Sequence, residues 1–564
     1  MKKSLYIALM EKVLSAYTNE HLDRYYETVR SEGLTEHGFP RLTANIGILL
    51  SYGKRTDLAD RFVPMMDLCC EEIPKRKDAG NEFSIKEIVF ALLELEKQGI
   101  FPREKLEFWK NKLKEVKVEN CYRVYATTPD SKVYNWAAFA MVSEWMRFHI
   151  GAADPDMDFI ENQAASQWQW MEENGMYRDP GEPMVYDMVT RGLFAMLFHF
   201  GYRGKYFQRW DDALKKAGLR TLKMVSVTGE MPYGGRSNQF LHNEAHCAVI
   251  LENEATRYAK LGEWELASKF KAAAERSLKV LQSYLSQNPI SHVKNAFPRE
   301  TRYGCENYAY FDKYMITAAS FLYAAYLLAD DSIPSGELDD LTGESFLTSD
   351  HFHKLFLRAG EYSAQYDYRA DVHYDASGLG RLQKRKAPSP ICHSTPGTDK
   401  PAYTIDEACA VPFAVVPEFS DGTGWLSGAD PAVIHEVLHH EARGESASAL
   451  VRCRRPDGRE AECAFFLSAK GLRITVTGKG PVGLLLPAFA FDGKTESVIT
   501  GSPGLLAVRY KDWVCRYRTE NGAIRDTGKV GCNRNGHYAL FRAEGEKTLT
   551  VTVDIFPEKQ AVHS

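Results

Sequence analysis

Between Glu230 and His246 the sequence reads EMPYGGRSNQFLHNEAH, a stretch dense in groups that handle polar and acidic ligands. Arg236 carries a planar fork able to hold a carboxylate through two parallel hydrogen bonds. Tyr233, Asn238 and His242 add a phenol, an amide and an imidazole around it. The stretch opens as a glycine-rich turn (Pro232, Tyr233, Gly234, Gly235), and Ser237 or Asn238 suits the N-cap of a following helix. Asn238, His242 and His246 recur every four residues and so share one helical stripe, which turns apolar at Val249 and Ile250. A helix that is polar at its start and apolar deeper suits a concave site. The competing reading is a buried helix whose histidines are satisfied by neighbours.

Paired carboxylates would add general acid–base chemistry. The loop Met176–Arg191 (MYRDPGEPMVYDMVTR) holds Asp179, Glu182 and Asp187 with Tyr177 and Tyr186. The stretch Arg299–Tyr314 (RETRYGCENYAYFDKY) holds Glu306 and Asn307 among four tyrosines, Tyr308 included. Val133–Trp136 places Tyr134, Asn135 and Trp136 at another helix start. Asp179, Asp187, Glu244 and Glu306 form the pool for acid and base. Asp179 and Glu306, in loops, have the most freedom to reach a reacting oxygen. Each has a structural alternative: Asp187 stands four residues from Arg191, the spacing of an intrahelical ion pair. Asp179 in Asp-Pro-Gly is also turn chemistry, the tyrosines could plug a ring of helices, and Trp136 serves a core as well as a sugar platform. The pair His242–His246 has the four-residue spacing of a zinc site, but Glu244 is not at the HExxH position and no third ligand is evident, so no metal is expected. No Walker sequence, dinucleotide fingerprint or GxSxG elbow is present, and no cofactor is expected.

The elements that must position these groups come in two kinds. From the start to about residue 331, helical patterns fall into pairs. Pro40–Lys54 precedes Asp57–Lys75, Phe83–Gln98 precedes Arg103–Val116, and Asn135–Ile150 precedes Asp156–Asn174. Pro183–Tyr202 precedes Tyr206–Val225, and Gln239–Leu261 precedes Glu263–Ser286. Tyr310–Ala329 pairs with a helix near the N-terminus. That is about six hairpins at a spacing of roughly 50 residues. The chemically loaded connections (Tyr122–Tyr134, Met176–Glu182, Glu230–Asn238, Pro289–Ala309) all precede the first helix of a pair, so in a closed ring they meet at one end. This predicts an (α/α)6 toroid over 1–331, with a stacked superhelix as the competing architecture. Residues 332–352 read as a polar linker. From 353 to 564 the hydrophobic period shifts from 3.6 toward 2, with turns at Pro456–Gly458, Asn521–Gly522 and Asn535–Gly536. That predicts an antiparallel β-sandwich and an α+β multidomain chain. Lys384–Lys400 reads as a basic loop over a surface or partner, and it suggests a homodimer in which that loop nears a neighbour's cleft.

Composition narrows the function classes. The 564 residues exceed one hydrophobic core, and the formal net charge of -5, without a basic run, gives no reason to expect nucleic acid. No apolar run approaches the ~18 residues of a membrane span. The N-terminal residues read as an amphipathic helix rather than a signal peptide, and the 11 scattered cysteines read as reduced thiols, so a cytoplasmic location is expected.

Hairpins, linker and sandwich, with Tyr-, Arg-, Asn- and His-rich loops at one toroid end, resemble uronate-processing carbohydrate enzymes. Two groups share this layout: toroid-plus-sandwich polysaccharide lyases, including the heparinase II/III-like group, and (α/α)6 glycoside hydrolases, including β-glucuronidases with a C-terminal sandwich. Gly235-Arg236-Ser237 is also similar to a GRS signature in uncharacterised toroid proteins thought to act on acidic sugars. The resemblance implies that Arg236 holds a uronate carboxylate, with Tyr233, Asn238, His242, Tyr186, Tyr308, Trp136 and Asn135 around the sugar. A hydrolase would take its acid and second carboxylate from Asp179, Glu306, Asp187 and Glu244. A lyase would neutralise the carboxylate and move protons through Tyr or His. The cytoplasmic expectation favours an exo-acting β-glucuronidase-like hydrolase of acidic oligosaccharides, with a uronate-specific β-eliminating lyase as the alternative. A non-catalytic glycan-binding protein is the third reading.

Overall fold

The computed structural model describes residues 2–559. Its first half is helical: Ser4–Leu14 (α1), Asn19–Glu32 (α2), Gly38–Ser51 (α3), Ala59–Glu72 (α4) and Asn81–Gln98 (α5). Arg103–Lys114 (α6), a single turn Val118–Cys121 (α7), Asn135–His149 (α8), Met157–Trp168 (α9) and Met184–His199 (α10) follow. Phe207–Met224 (α11), His242–Lys260 (α12), Trp264–Leu285 (α13) and Phe311–Leu328 (α14) complete it.

Two burial patterns sort these helices. Every residue of α3 is buried, whereas α6 buries only Leu106, Trp109, Lys110 and Leu113, one stripe at i, i+3, i+4, i+7. Helices α3, α5, α8, α10, α12 and α14 form the inner ring, each packed on the next, with α14 against α3 to close it. Outer helices α4, α6, α9, α11 and α13 back them, and α1 backs α14. Closure removes the superhelix. Local chemistry sets the ends: Thr18 accepts from His21 N (3.2 Å) to cap α2, Asp156 accepts from Phe159 N (2.9 Å) to cap α9, and α5 stops at Gly99 in the left-handed region (φ 63°).

The second half is antiparallel. Glu344–Leu347 (β1), Lys354–Ala359 (β2), Tyr362–Asp367 (β3) and Gly378–Lys384 (β4) form one sheet in that order. Strand β1 lies inside the stretch expected to be linker. An eight-stranded sheet runs from Val498–Ser502 at one edge to Ile434–Arg443 at the other, and a five-stranded sheet is centred on Val482–Phe491. In Ser446–Arg454 burial alternates residue by residue, the period-2 pattern of a half-covered strand.

The β1–β4 sheet joins the halves. Along β3, Tyr362, Ala364 and Tyr366 enter the sandwich core. The alternate residues face the toroid: Ser363 Oγ accepts from Val227 N (3.3 Å) and Gln365 Nε2 donates to Tyr233 O (2.8 Å). From β4, Arg381 donates to Met231 O (2.7 Å) and Gln383 to Glu230 (2.9 Å). The turn that carries Arg236 is thus clamped by a sheet more than a hundred residues away. Lys384–Lys400 is not the surface excursion expected: residues 390–398 are buried, and Thr395 bonds both Asp375 (3.2 Å) and Asn238 (3.3 Å). The buried middle of this loop packs within its own chain, while Lys386, Asp399 and Lys400 at its ends are exposed.

Candidate functional site

A cavity of about 530 Å³ opens at one end of the toroid. Its walls are the N-terminal turns of all six inner helices: Arg41 of α3, Phe83 of α5, Trp136 of α8, Tyr186 of α10, His242 of α12 and Tyr314 of α14 all line it. The positive ends of six helix dipoles therefore converge on one space, which favours a bound anion. Arg123 and Lys313 add cationic side chains to the lining, against Glu36 and Asp78. Beneath it, Arg41 Nε and Lys86 Nζ both lie 2.8 Å from Glu87, two buried cations on one carboxylate. Arg41 Nη2 has no hydrogen-bond partner, and burial lowers Lys86 to about 8.

The Glu230–His246 stretch is built as a strained turn followed by a helix. Gly235 needs its hydrogen: φ is 74° and a Cβ would lie 2.8 Å from Pro183 Cβ. Ser237 (φ 58°) and Gln239 (φ 64°) are also left-handed, so the helix starts at His242 rather than at 239, without a side-chain cap. This corrects the shared stripe. Asn238 lies before the helix, accepts from Gln239 N (2.8 Å) and donates to Thr395, facing the sandwich. Tyr233 is fully buried between Lys354 and Arg381, whose charges lie 5.3 and 5.5 Å from its ring centre, so it also belongs to the seam between domains.

Arg236, Asn135, Trp136, Tyr186, Tyr308 and His242 do line the cavity. Arg236 lies 4.5 Å over the Tyr186 ring, pairs with Asp179 and donates to Pro180 O. Burial pulls its pKa down, but Asp179 more than restores it. Asn135 Nδ2 donates to the other Asp179 oxygen (2.8 Å). Hydroxyls form a chain from Tyr186 to Ser237 (3.1 Å) to Tyr308 (3.2 Å). Tyr314 then lies between Tyr308 (5.9 Å) and His242 (5.3 Å), centre to centre. Burial holds His242 neutral, with its pKa lowered to about 3, and raises the Tyr308 phenol well above its usual range. Trp136 meets Phe83 edge-on (4.7 Å), so it serves both wall and core.

The four carboxylates expected to supply acid and base all lie outside the cavity lining, each bound to a basic side chain. Asp187 is bidentate to Arg191 (2.9 and 2.5 Å) and accepts from Tyr177 N (2.8 Å). Glu244 pairs with Lys294 (2.5 Å) and accepts from Met231 N (3.1 Å). Glu306 pairs with Arg534 from the sandwich (2.7 Å) and accepts from Ser237 N (2.6 Å). Asp179 is 2 % exposed and held by Arg236 and Asn135; burial raises its pKa and Arg236 opposes the rise. Residues that sequence reasoning missed are Arg41, Arg123 and Lys313, while Tyr314 entered it only as one of the four tyrosines of Arg299–Tyr314. His242 and His246 meet edge-to-face (5.5 Å, 89°), and among the described residues no group of three His, Cys, Asp or Glu is placed to hold a metal. Among them, too, no helix is long and apolar enough to cross a membrane.

No protein-family model matches the chain, and no curated protein matches it. Among solved structures it is similar to a heparan sulfate lyase from Pedobacter heparinus, at 10% identity and TM-score 0.34 over 88% of this chain and 76% of that one. A heparinase III matches at 10% identity and TM-score 0.37 over 96% and 89%. A galactose mutarotase-like protein from Clostridium acetobutylicum matches at 9% identity and TM-score 0.25 over 39% of this chain and 100% of that one.

Proposed function

We propose that the chain is a lyase that cleaves uronate-containing oligosaccharides by β-elimination. One observation carries the reading: Asp179, Asp187, Glu244 and Glu306 are each held by a basic side chain, while phenols, imidazoles and cations line the cavity. The two carboxylates that do line the cavity are Glu36 and Asp78, and Glu36 already accepts from the Tyr25 hydroxyl and from Gly38 N (2.5 Å). A two-carboxylate hydrolase would have to work with this pair rather than with the four read from the sequence.

Elimination needs what the cavity has. The uronate carboxylate enters the field of six helix N-termini, where Arg236 and Arg41 neutralise it and render the C5 proton more acidic. Neutral His242 takes that proton, helped by the adjacent carboxylate, which favours the imidazolium. The C5 electron pair forms the C4–C5 double bond as the C4–O bond breaks. The Tyr308 phenol, protonated at neutral pH as phenols are, gives its proton to the departing oxygen, and the Ser237–Tyr186 hydroxyls resupply it.

The test is incubation with 4-linked uronate oligosaccharides, following ultraviolet-absorbing unsaturated product and free saturated uronic acid together. The expected result is one unsaturated uronate terminus for every new reducing end. Tyr308→Phe and His242→Gln should each reduce kcat by about 10²–10⁴ while leaving the thermal midpoint near that of the parent. Free saturated uronic acid without unsaturated product would return the chain to hydrolysis, and tight binding without either product would make it a glycan-binding protein.

A further inference from the structure

A second cleft, of about 780 Å³, lies on the flank of the molecule, between outer helix α13 and the sandwich. It shares no lining residue with the toroid cavity and is within the size range of ligand sites. Its lining carries six basic side chains against three carboxylates, Glu230, Glu275 and Asp492, of which Glu275 accepts from Ser335 (2.7 Å) and makes no ion pair among the described residues. Arg276 is bidentate to Asp340 (2.8 and 2.7 Å), Arg385 pairs with Glu361, and Lys511 lies 3.3 Å from Asp492. Lys279 and Lys386 are exposed and make no ion pair among the described residues. Lys386 is also left-handed (φ 70°), a conformation that costs an ordinary side chain on the order of 1 kcal/mol and is common in ligand clamps.

Aromatic groups share this space. Tyr284 and Trp513 are half-buried in the lining, and Trp513 closes a tight hairpin whose two turn residues, Lys511 and Asp512, are both left-handed. Half-buried rings beside unpaired ammonium groups match a ligand that has apolar ring faces and several negative charges. At its inner end the cleft reaches Glu230, Lys294 and Asn535. Lys294 holds Glu244, which accepts from Met231 N, so the cleft floor abuts the support of the Arg236 turn.

We propose that this cleft is a second binding site for an acidic oligosaccharide, with Lys279 and Lys386 meeting its anionic groups and Tyr284 and Trp513 its ring faces. The choice of a carboxylated glycan rests on the function proposed above; the demand for a polyanion with ring faces does not.

The test is calorimetric titration of the full chain, as its His242→Gln variant to prevent turnover, with an unsulfated 4-linked uronate hexasaccharide. Two sites per chain are expected. Lys279→Glu with Lys386→Glu should abolish one of them, and Trp513→Ala should weaken the same one at least tenfold. In the parent background, the double charge reversal should leave disaccharide turnover unchanged. A single site that survives charge reversal, or two sites that both survive it, overturns the proposal. If no oligouronate is turned over but the charge-sensitive site is present, the catalytic reading fails and this one stands.

Discussion

Replacing Glu306 by glutamine separates a structural carboxylate from a catalytic one. Glu306 Oε1 lies 2.7 Å from Arg534 Nη2 and 2.6 Å from Ser237 N, and the Arg534 and Glu306 side chains are 1% and 2% exposed. Glutamine keeps the shape and an acceptor for Ser237 N but leaves the guanidinium facing a neutral group. Arg534 cannot swing into solvent, because it also donates to Gly304 O (2.8 Å) and lies 4.0 Å from the Tyr403 ring centre. Removing one partner of a buried pair costs about 3–5 kcal/mol, and an amide that still accepts belongs at the lower end. About 3 kcal/mol is roughly a hundredfold in an unfolding equilibrium constant, since each tenfold is about 1.4 kcal/mol. A general acid would instead lose about 10²–10⁴ in kcat at little cost in stability. The assay is urea unfolding with steady-state kinetics for Glu306→Gln, Arg534→Met and the pair. Glu306→Gln should lower the midpoint and leave the folded enzyme within about tenfold of parent activity. The double variant should recover part of the loss, because the orphaned charge is gone. An unchanged midpoint with kcat down a hundredfold or more would refute the reasoning and make Glu306 a catalytic group.

Two further predictions concern pH. Burial raises Asp375, which accepts from Gly235 N (2.7 Å), to about 6, with Lys354 opposing the rise and Asp367 adding to it. The folded chain therefore holds this proton more tightly than the unfolded one. The stabilisation is full below about 4 and is lost as pH rises through 6, so Asp375→Asn should raise the urea midpoint at pH 7.5 relative to parent and leave it near parent at pH 4. An equal shift at both pH values would contradict this. Burial lowers His393 to about 3, and neither ring nitrogen has a partner. A depressed histidine stabilises above its unfolded pKa of about 6.5 and loses that contribution as pH falls toward 3, so His393→Phe, packed on Phe413 and Tyr538, should flatten the acid limb of stability without loss at pH 7.5.

The helical half was legible because inner and outer helices differ in how far around them burial extends, and that difference is written in local apolar spacing. Burial alternates along Ala449–Arg454, Glu462–Ser468 and Leu472–Thr477, and all three lie within observed strands and are legible for the same reason. Two other strands carry no such alternation. Val482–Phe491 is buried continuously from 482 to 489 and contains Pro487, so it carries no period of 2. Ile434–Arg443 is a polar edge strand with a bulge between Val437 and His439, which breaks the pattern from the other side.

Within the site, legibility followed the distance along the chain to each group's partner. The Asp187–Arg191 pair is one helical turn, and its spacing announces it. Glu306 answers to an arginine 228 residues on, Tyr233 to Gln365 and Asn238 to Thr395, and no local pattern encodes such partners. Three carboxylates that looked free to act were therefore paired, and two groups that looked free to bind faced the sandwich. Arg41 and Lys313 were missed, and Tyr314 was named only among four tyrosines, for a different reason, and a rule would have found them. If loaded loops precede each inner helix, the inner N-termini share the cavity, and the first-turn side chains of all six become candidates, including those after short connections. Arg41 follows Pro40 at the start of α3, and Lys313 and Tyr314 open α14. The ring's polarity, once inferred, specifies the site more completely than any single motif, because it says which end of every inner helix the ligand meets.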